Sequence, residues 1–323
     1  PEVKVYLLQN ANVTNAFNGG KAADLISVGE NDTTRAIYLQ GGTVQNTYGG
    51  SDSSGTVTVS NAYIESGNAT NVYGGNNLGG TTTTTKVSIT DGIIGNIYGG
   101  GNQAVSTTTN VTTTGGIITN IFGGGNNAGV TTANVTTNGG NIGTIFGGSN
   151  ASGDVTESFV TTNDGTTSST IDTVYGGNNQ GGTTITPIVT INGGGVGTVY
   201  GGGNQAVTNV TNVYIYGNVS KNVFGGGNQA GINTNTNVTL IGATIGDNVY
   251  GGGNQGTVTQ NTYVKVKNSI LQNSVYAGGN GISAVVYRDV NLTMEGTNQV
   301  TNSVFGGGNQ AATGTELTNN SKS

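Results

Sequence analysis

The apolar and polar positions of the chain repeat in short units, and the stretch from Lys86 to Tyr98 is representative. Counting back from Tyr98, apolar residues fall at positions −11 and −9, again near −4, and at −1. A glycine near position −6 separates the two apolar groups. Period-two alternation broken by a bend predicts short β-strands with one buried face. Because glycine and β-branched residues dominate every unit, the pattern predicts no helix.

Most units end in the same phrase: a β-branched apolar residue, an aromatic residue, two or three glycines and an asparagine. The aromatic residues are Phe17, Tyr48, Tyr73, Tyr98, Phe122, Phe146, Tyr175, Tyr200, Phe224, Tyr250, Tyr276 and Phe305. The ten intervals from Tyr48 to Phe305 span 257 residues, a mean of about 26. Two intervals reach 29 residues and are expected to hold loop insertions. A period in this range is typical of solenoids, propellers and other arrays.

An asparagine follows ten of these aromatic residues at a distance of four positions: Asn77, Asn102, Asn126, Asn150, Asn179, Asn204, Asn228, Asn254, Asn280 and Asn309. Identical amides stacked at the strand spacing of about 4.8 Å can donate to and accept from the copies above and below. Aromatic rings at one position of successive coils can stack in the same way. We therefore predict an asparagine ladder, and an aromatic stack of the ten rings from Tyr73 to Phe305.

These patterns predict an all-β fold, a single-stranded parallel β-helix (β-solenoid) of about 12 coils of 24 to 29 residues with Gly-Asn corners. Residues 1–47 are the least regular and are predicted to form atypical N-terminal coils or a cap. Residues 48–310 form the regular solenoid in this interpretation, and residues 311–323 a polar C-terminal tail. Lys21 occupies the asparagine position after Phe17. Pro187 cannot donate to a strand ladder, so we expect it at a strand start or a corner.

Composition narrows the possible chemistry. The 323 residues include 61 glycines, no cysteine and no histidine, and 7% are charged. The absence of His and Cys removes the commonest general base and the commonest transition-metal ligands, so we predict no cofactor and no metal. The net charge is −6, and no basic residue lies between Lys86 and Lys221, which argues against nucleic-acid binding. No apolar run approaches the roughly 18 residues that predict a membrane span.

The repeat resembles the parallel β-helices of bacterial and phage surface proteins, namely autotransporter passengers, filamentous adhesins and tailspikes. The resemblance covers residues 48–310 and is one of architecture. The stretch Gly251–Gln255 is also similar to the calcium-binding nonapeptide repeat of secreted toxins. That motif needs a repeating aspartate, and here the position holds asparagine or glutamine, so we predict no calcium site.

The resemblance implies a structural, extracellular or cell-surface protein that is not an enzyme: a filament subunit or an adhesin stalk. A solenoid exposes unpaired backbone at its first and last coils. We expect the coil that ends near Gln310 to have no cap. Low charge and amide ladders favour β pairing between such ends, so head-to-tail self-association is the expected contact between copies.

A carbohydrate-binding or carbohydrate-cleaving solenoid is the alternative, with host or matrix glycans as partners. A catalytic carboxylate pair would best be sought among Asp154, Glu157, Asp164 and Asp172, although we expect this stretch to be a solvated loop between coils. Tyr214 and Tyr216 could stack on sugars if they faced outward, and we expect strand alternation to turn one of them inward.

A third hypothesis is ice binding by rows of threonine. The outward positions Ser88, Thr112, Thr136 and Thr190 suggest such a row, but Tyr214 interrupts it. Threonine is also a good strand former in its own right, so this hypothesis ranks below the other two.

Overall fold

The computed structural model describes residues 2–26, 32–163 and 169–314 of the chain. Within these ranges there are 26 β-strands and no helix. All the strands pair in parallel and belong to one continuous sheet. The predicted all-β parallel solenoid is therefore confirmed.

The first thirteen strands are β1 (Val3–Leu7), β2 (Asn12–Phe17), β3 (Arg35–Tyr48), β4 (Thr56–Tyr73), β5 (Thr81–Ile89), β6 (Ile93–Tyr98), β7 (Val105–Thr113), β8 (Ile117–Phe122), β9 (Val130–Thr137), β10 (Asn141–Phe146), β11 (Val155–Thr162), β12 (Thr170–Tyr175) and β13 (Thr184–Ile191). The others are β14 (Val196–Tyr200), β15 (Thr211–Ile215), β16 (Asn218–Val219), β17 (Val223–Phe224), β18 (Thr236–Ile241), β19 (Thr244–Ile245), β20 (Val249–Tyr250), β21 (Thr262–Lys267), β22 (Ile270–Leu271), β23 (Val275–Tyr276), β24 (Val290–Glu295), β25 (Gln299–Val300) and β26 (Val304–Phe305).

Each coil has three sides. In most coils the first is a longer strand such as β5, and the second is a shorter strand such as β6 that ends at the aromatic residue. In β3 and β4 the two sides form one continuous strand. From β16 onwards the second side is split into two strands of two residues. The third side is the Gly-Asn corner and the segment after it, which is held to its neighbours by isolated parallel bridges such as Ile232 to Val258. The twelve aromatic positions enclose about 11 turns.

The register between coils pairs each residue with its equivalent in the next unit. Val87 pairs with Val111, which pairs with Val135. Because equivalent residues face each other, the inward positions form continuous rows of Val and Ile along the axis. The aromatic residues form a separate buried cluster at the end of the second side. Each coil therefore buries its apolar face only against its neighbours, as expected of a solenoid.

In several coils the bend between the first and second sides is made at a glycine, whereas between β21 and β22 it is made at Asn268, which has a φ of 52°. Gly92, Gly116 and Gly140 occupy position −6 before their aromatic residues and have φ angles of 113°, 87° and 105°. Side chains with a Cβ atom rarely adopt these values, so glycine lets the chain turn there at low cost.

The prediction for Pro187 is wrong. This residue lies inside β13, is buried, and pairs with Ser158 of β11. On its other side, the ladder with β15 begins only at Ile188, which pairs with Asn212. The proline therefore lies where the ladder to the next coil is interrupted, and its missing N–H forfeits one ladder bond at most.

Two isoleucines of β8 offer a direct test of this architecture. Ile121 is fully buried in the core, whereas Ile117 on the same strand is 56% exposed. We expect Ile121→Ala to lower the free energy of unfolding by about 2–5 kcal/mol, since it leaves a cavity. Ile117→Ala should cost less than about 1 kcal/mol. Urea unfolding followed by circular dichroism measures both, and equal losses would contradict the assignment of the buried face.

Candidate functional site

The most regular feature of the surface is the asparagine ladder. Each of the ten asparagines from Asn77 to Asn309 donates its Nδ2 to the side-chain oxygen of the equivalent residue one coil earlier, at 2.8–3.0 Å. The predicted ladder is confirmed. All ten bonds run in the same direction, so every donor points towards the N-terminal coils.

The first hydrogen bond of the ladder explains why all the donors point towards the N-terminal coils. Each ladder position is called a rung. Asn77 donates to Oδ1 of Asp52, which lies four residues after Tyr48. An ionised carboxylate can only accept, so Asn77 must turn its NH₂ group towards it, and each later amide follows. One coil earlier, Lys21 occupies the rung position, because Asp52 N donates to Gly20 O and Ser53 N donates to Lys21 O. The ladder therefore begins with a residue that only donates and one that only accepts.

The aromatic rings lie in a second continuous row. Successive rings from Phe17 to Phe305 are stacked, with centroids 4.6–5.0 Å apart and interplanar angles of 5–9°. The nine rings from Tyr48 to Tyr250 are buried, whereas Phe305 is 41% exposed on the last coil. Parallel stacking at this distance is the geometry that the coil spacing imposes on identical rings.

The sequence analysis missed a second amide ladder two positions before the aromatic residues. Asn46, Asn71, Asn96 and Asn120 each donate to the asparagine one coil earlier, beginning at Asn15, at 2.8–3.0 Å. The signal was available, because five successive units carry asparagine at this position.

A buried row of hydroxyl groups was also missed. Ser60, Thr85, Thr109, Ser158, Thr211, Thr236 and Thr262 donate to the backbone oxygen of the residue that follows the aromatic of their own coil. Six of these bonds measure 2.5–2.6 Å. In β5, both Thr82 and Thr85 are buried, so period-two alternation fails between them. Alternation alone could not show which threonines point inward.

Two tyrosines on the outer surface of the coils are not oriented as predicted. Tyr214 and Tyr216 lie two positions apart, on either side of the buried Ile215, and both face outward. Residues at i and i+2 of a strand share a face, so the expectation that one would turn inward was wrong. Tyr216 is 45% exposed, and Tyr263 is 41% exposed in a shallow groove with Asn237 and Asn291.

The threonine row of the first side is in register. Ser88, Thr112, Thr136, Thr161 and Thr190 pair in succession, and Tyr214 follows them. Near the N-terminal end, the same row holds Tyr6, Tyr38 and Tyr63, whose rings are stacked with centroids 4.8 and 5.0 Å apart. The outer surface of this side is therefore aromatic, then hydroxylic, then mixed along the axis.

The acidic residues of the first long interval lie in different elements. Asp154 precedes β11 and accepts a hydrogen bond from Thr183 N at 2.8 Å. Glu157 is on an outward position of β11 and Asp172 on an outward position of β12. These two residues are thus in regular strands, not in the loop that we expected. Asp164 lies outside the described residues.

Neither a metal site nor a helical membrane span is found in the part of the chain that the structure describes. No three acidic side chains come close enough together to hold an ion, and none of the described residues form a helix that could cross a bilayer. A scan against protein-family models and searches of curated proteins and solved structures found no match. The fold defines the chain as a parallel β-solenoid repeat protein.

Burial shifts the titration of the stacked tyrosines. It raises the pKa of Tyr48 to about 12, with a further contribution from the negative charge of Asp52. It likewise raises the pKa of Tyr250 to about 12, where Tyr276 and Asp247 add to the effect. Burial also raises the pKa of Tyr98, and a hydrogen bond with Asn150 partly offsets the rise. The neutral phenol is thus favoured in the folded chain.

Interrupting the ladder should cost more in the middle than at the end. Asn126 donates to Asn102 and accepts from Asn150, both at 2.9 Å, whereas Asn309 makes only the bond to Asn280 within the described ladder. At about 0.5–1.5 kcal/mol per bond, Asn126→Ala should lower the free energy of unfolding by about 1–3 kcal/mol. Asn309→Ala is the matched control, with about half the loss or less. Equal losses in urea unfolding would contradict a contribution from each ladder bond, because Asn126 makes two of them and Asn309 one.

Stability should fall at alkaline pH. Unfolded tyrosine ionises near pH 10, whereas folded Tyr48 and Tyr250 ionise near 12, so the unfolded chain binds fewer protons between these values. The free energy of unfolding therefore decreases as the pH rises from about 10 to about 12. We expect the double variant Tyr48→Phe, Tyr250→Phe to show a shallower decrease in urea midpoints. If the urea midpoint of the double variant fell just as steeply with pH, the loss of stability would have to come from groups other than Tyr48 and Tyr250.

Proposed function

We propose that the protein is a structural element of the cell exterior, the subunit of a surface filament or an adhesin stalk that assembles end to end through its terminal coils. The observation that carries this proposal is the open face of the last described coil. Phe305 continues a stack whose nine central rings are buried, yet it is itself 41% exposed. Val304 is 50% exposed, and its equivalents Val275 and Val249 are fully buried.

The backbone of the same face is paired on one side only. β24 pairs with β21, β25 with β22 and β26 with β23. Such a free edge offers a row of N–H and C=O groups to a further parallel strand. Apolar side chains and unsatisfied backbone groups on one flat face are what an additional coil would cover.

The lateral surface supports a mechanical role. The described pockets on it are shallow and lined mostly by polar residues, and the two amide ladders run along it in register with the strands. Every coil is tied to its neighbours by backbone ladders, stacked rings and amide bonds at once, which resists bending and local unfolding. The extracellular placement in this proposal rests on the likeness of the repeat to surface solenoids.

A charge on the open face tests the proposal. Met294 is 37% exposed there, and its equivalents Val266 and Leu240 are fully buried. We expect the 323-residue chain to form uniform filaments at micromolar concentration in electron micrographs. Met294→Lys should leave the subunit folded, since its ammonium reaches solvent, but should abolish filaments because assembly would bury an unpaired charge.

The matched control is Ile282→Lys, which introduces the same charge at a loop residue that is 80% exposed. This variant should assemble like the unmodified chain. Single short rods from the unmodified chain at all concentrations would contradict end-to-end assembly. The alternative of glycan binding would then be tested next, on a glycan array with Tyr263→Ala as the comparison.

A further inference from the structure

A complete coil lies at each end of the described part of the chain. The first coil comprises β1, β2 and the bridge from Leu25 to Val57. The last comprises β24, β25, β26 and the bridge from Thr313 to Val286. Each face thus presents all three sides of the solenoid, one at the N-terminal end and one at the C-terminal end.

We infer that the two faces are complementary, and that the N-terminal face of one copy stacks on the C-terminal face of another in a single register. In this register β1 of one copy pairs with β24 of the other, and β2 pairs with β25 and β26. The inference rests on the proposed end-to-end assembly and specifies its contact. It follows from tracing each row of paired residues from one end of the chain to the other.

The inward rows match in chemical type. The row that begins at Val5 ends at Leu292, and the row that begins at Leu7 ends at Met294. On the second side, the three rows link Val13 with Val300, Ala16 with Val304 and Phe17 with Phe305. All five junction pairs are apolar on both faces. Leu7 and Ala16 are already buried in the first coil, so the apolar surface that the junction covers lies mainly on the C-terminal face, at Met294, Val304 and Phe305.

The asparagine ladder gives the junction its direction. Asn309 uses its Nδ2 on Asn280, so its oxygen is the group directed to the next coil. The rung that would follow in a second copy is Lys21, whose ammonium can only donate. Lys21 therefore supplies the donor that the oxygen of Asn309 requires. Two like faces could not continue the ladder, because both would present donors or both acceptors.

A junction of this kind makes the filament one uninterrupted solenoid. Each copy contributes twelve aromatic rungs, from Phe17 to Phe305. At about 4.8 Å per coil, the axial repeat is about 58 Å. The contact is heterologous and does not close on itself, so it can repeat without limit, with every copy pointing the same way.

Engineered cysteines test the register, because the natural chain contains none. Tyr6 and Thr293 begin and end one outward row. In a junction with matched rows their Cα atoms are about 5 Å apart, within disulfide range. The two positions lie at opposite ends of a single copy, so any disulfide joins two copies. We expect the variant Tyr6→Cys, Thr293→Cys to give covalent multimers on a non-reducing gel under mild oxidation.

The matched control is Tyr6→Cys with Asn291→Cys, which moves one thiol by two residues along β24. This shift puts the Cα atoms about 8 Å apart, beyond disulfide range. We expect its multimers to form at least tenfold more slowly. Each single-cysteine variant should give no covalent dimer, whereas a dimer from Tyr6→Cys alone would indicate contact between two N-terminal faces.

The outcomes separate this inference from the proposed function. Filaments whose matched pair does not cross-link faster than the shifted pair would overturn the register and leave end-to-end assembly intact. Neither filaments nor cross-links, from variants with the circular dichroism of the unmodified chain, would overturn both. Cross-linking of the matched pair together with an axial repeat near 58 Å supports the inference.

Discussion

The structure depends on the constant spacing between coils. Parallel strands in register place every residue about 4.8 Å from its equivalent in the next unit, so the protein is stabilised by contacts between like residues. An inward Val meets a Val, a ring meets a ring, and an amide meets an amide. A position can be kept in every unit only if its side chain pairs favourably with a copy of itself, which uncharged amides, rings and β-branched groups do. This constraint accounts for the few charges in the regular coils.

The exceptions to self-pairing are informative for the same reason. Lys21 and Asp52 occupy the rungs where asparagine is missing, and both lie at the N-terminal end of the ladder. A residue that only accepts orients every later amide, so a local substitution polarises a row that spans the molecule. The proposed junction uses this polarity. A donor at one end and an acceptor at the other make a self-complementary subunit out of a ladder that is otherwise uniform.

The proposed role as a filament or stalk and the repetitive interior are consistent with each other. Chemistry at an active site requires unlike groups to converge, whereas this fold places like groups in rows. The described acidic residues of the first long interval are distributed over separate strands and turns. The lateral aromatic residues, such as Tyr216 and Tyr263, are the places where the rows change character, and a ligand would be sought there if end-to-end assembly failed.

Periodicity in the sequence was enough to predict the solenoid, the number of coils to within one, and the rungs from Asn77 to Asn309, because each depends only on equivalent residues being stacked. It could not predict which of Thr82 to Thr85 face inward, since both ends of this stretch are buried and alternation fails between them. It misplaced Pro187, whose cost depends on the neighbouring strand. Only the three-dimensional register showed that the rows ending on the two faces match, because that match joins residues almost 300 positions apart in the chain.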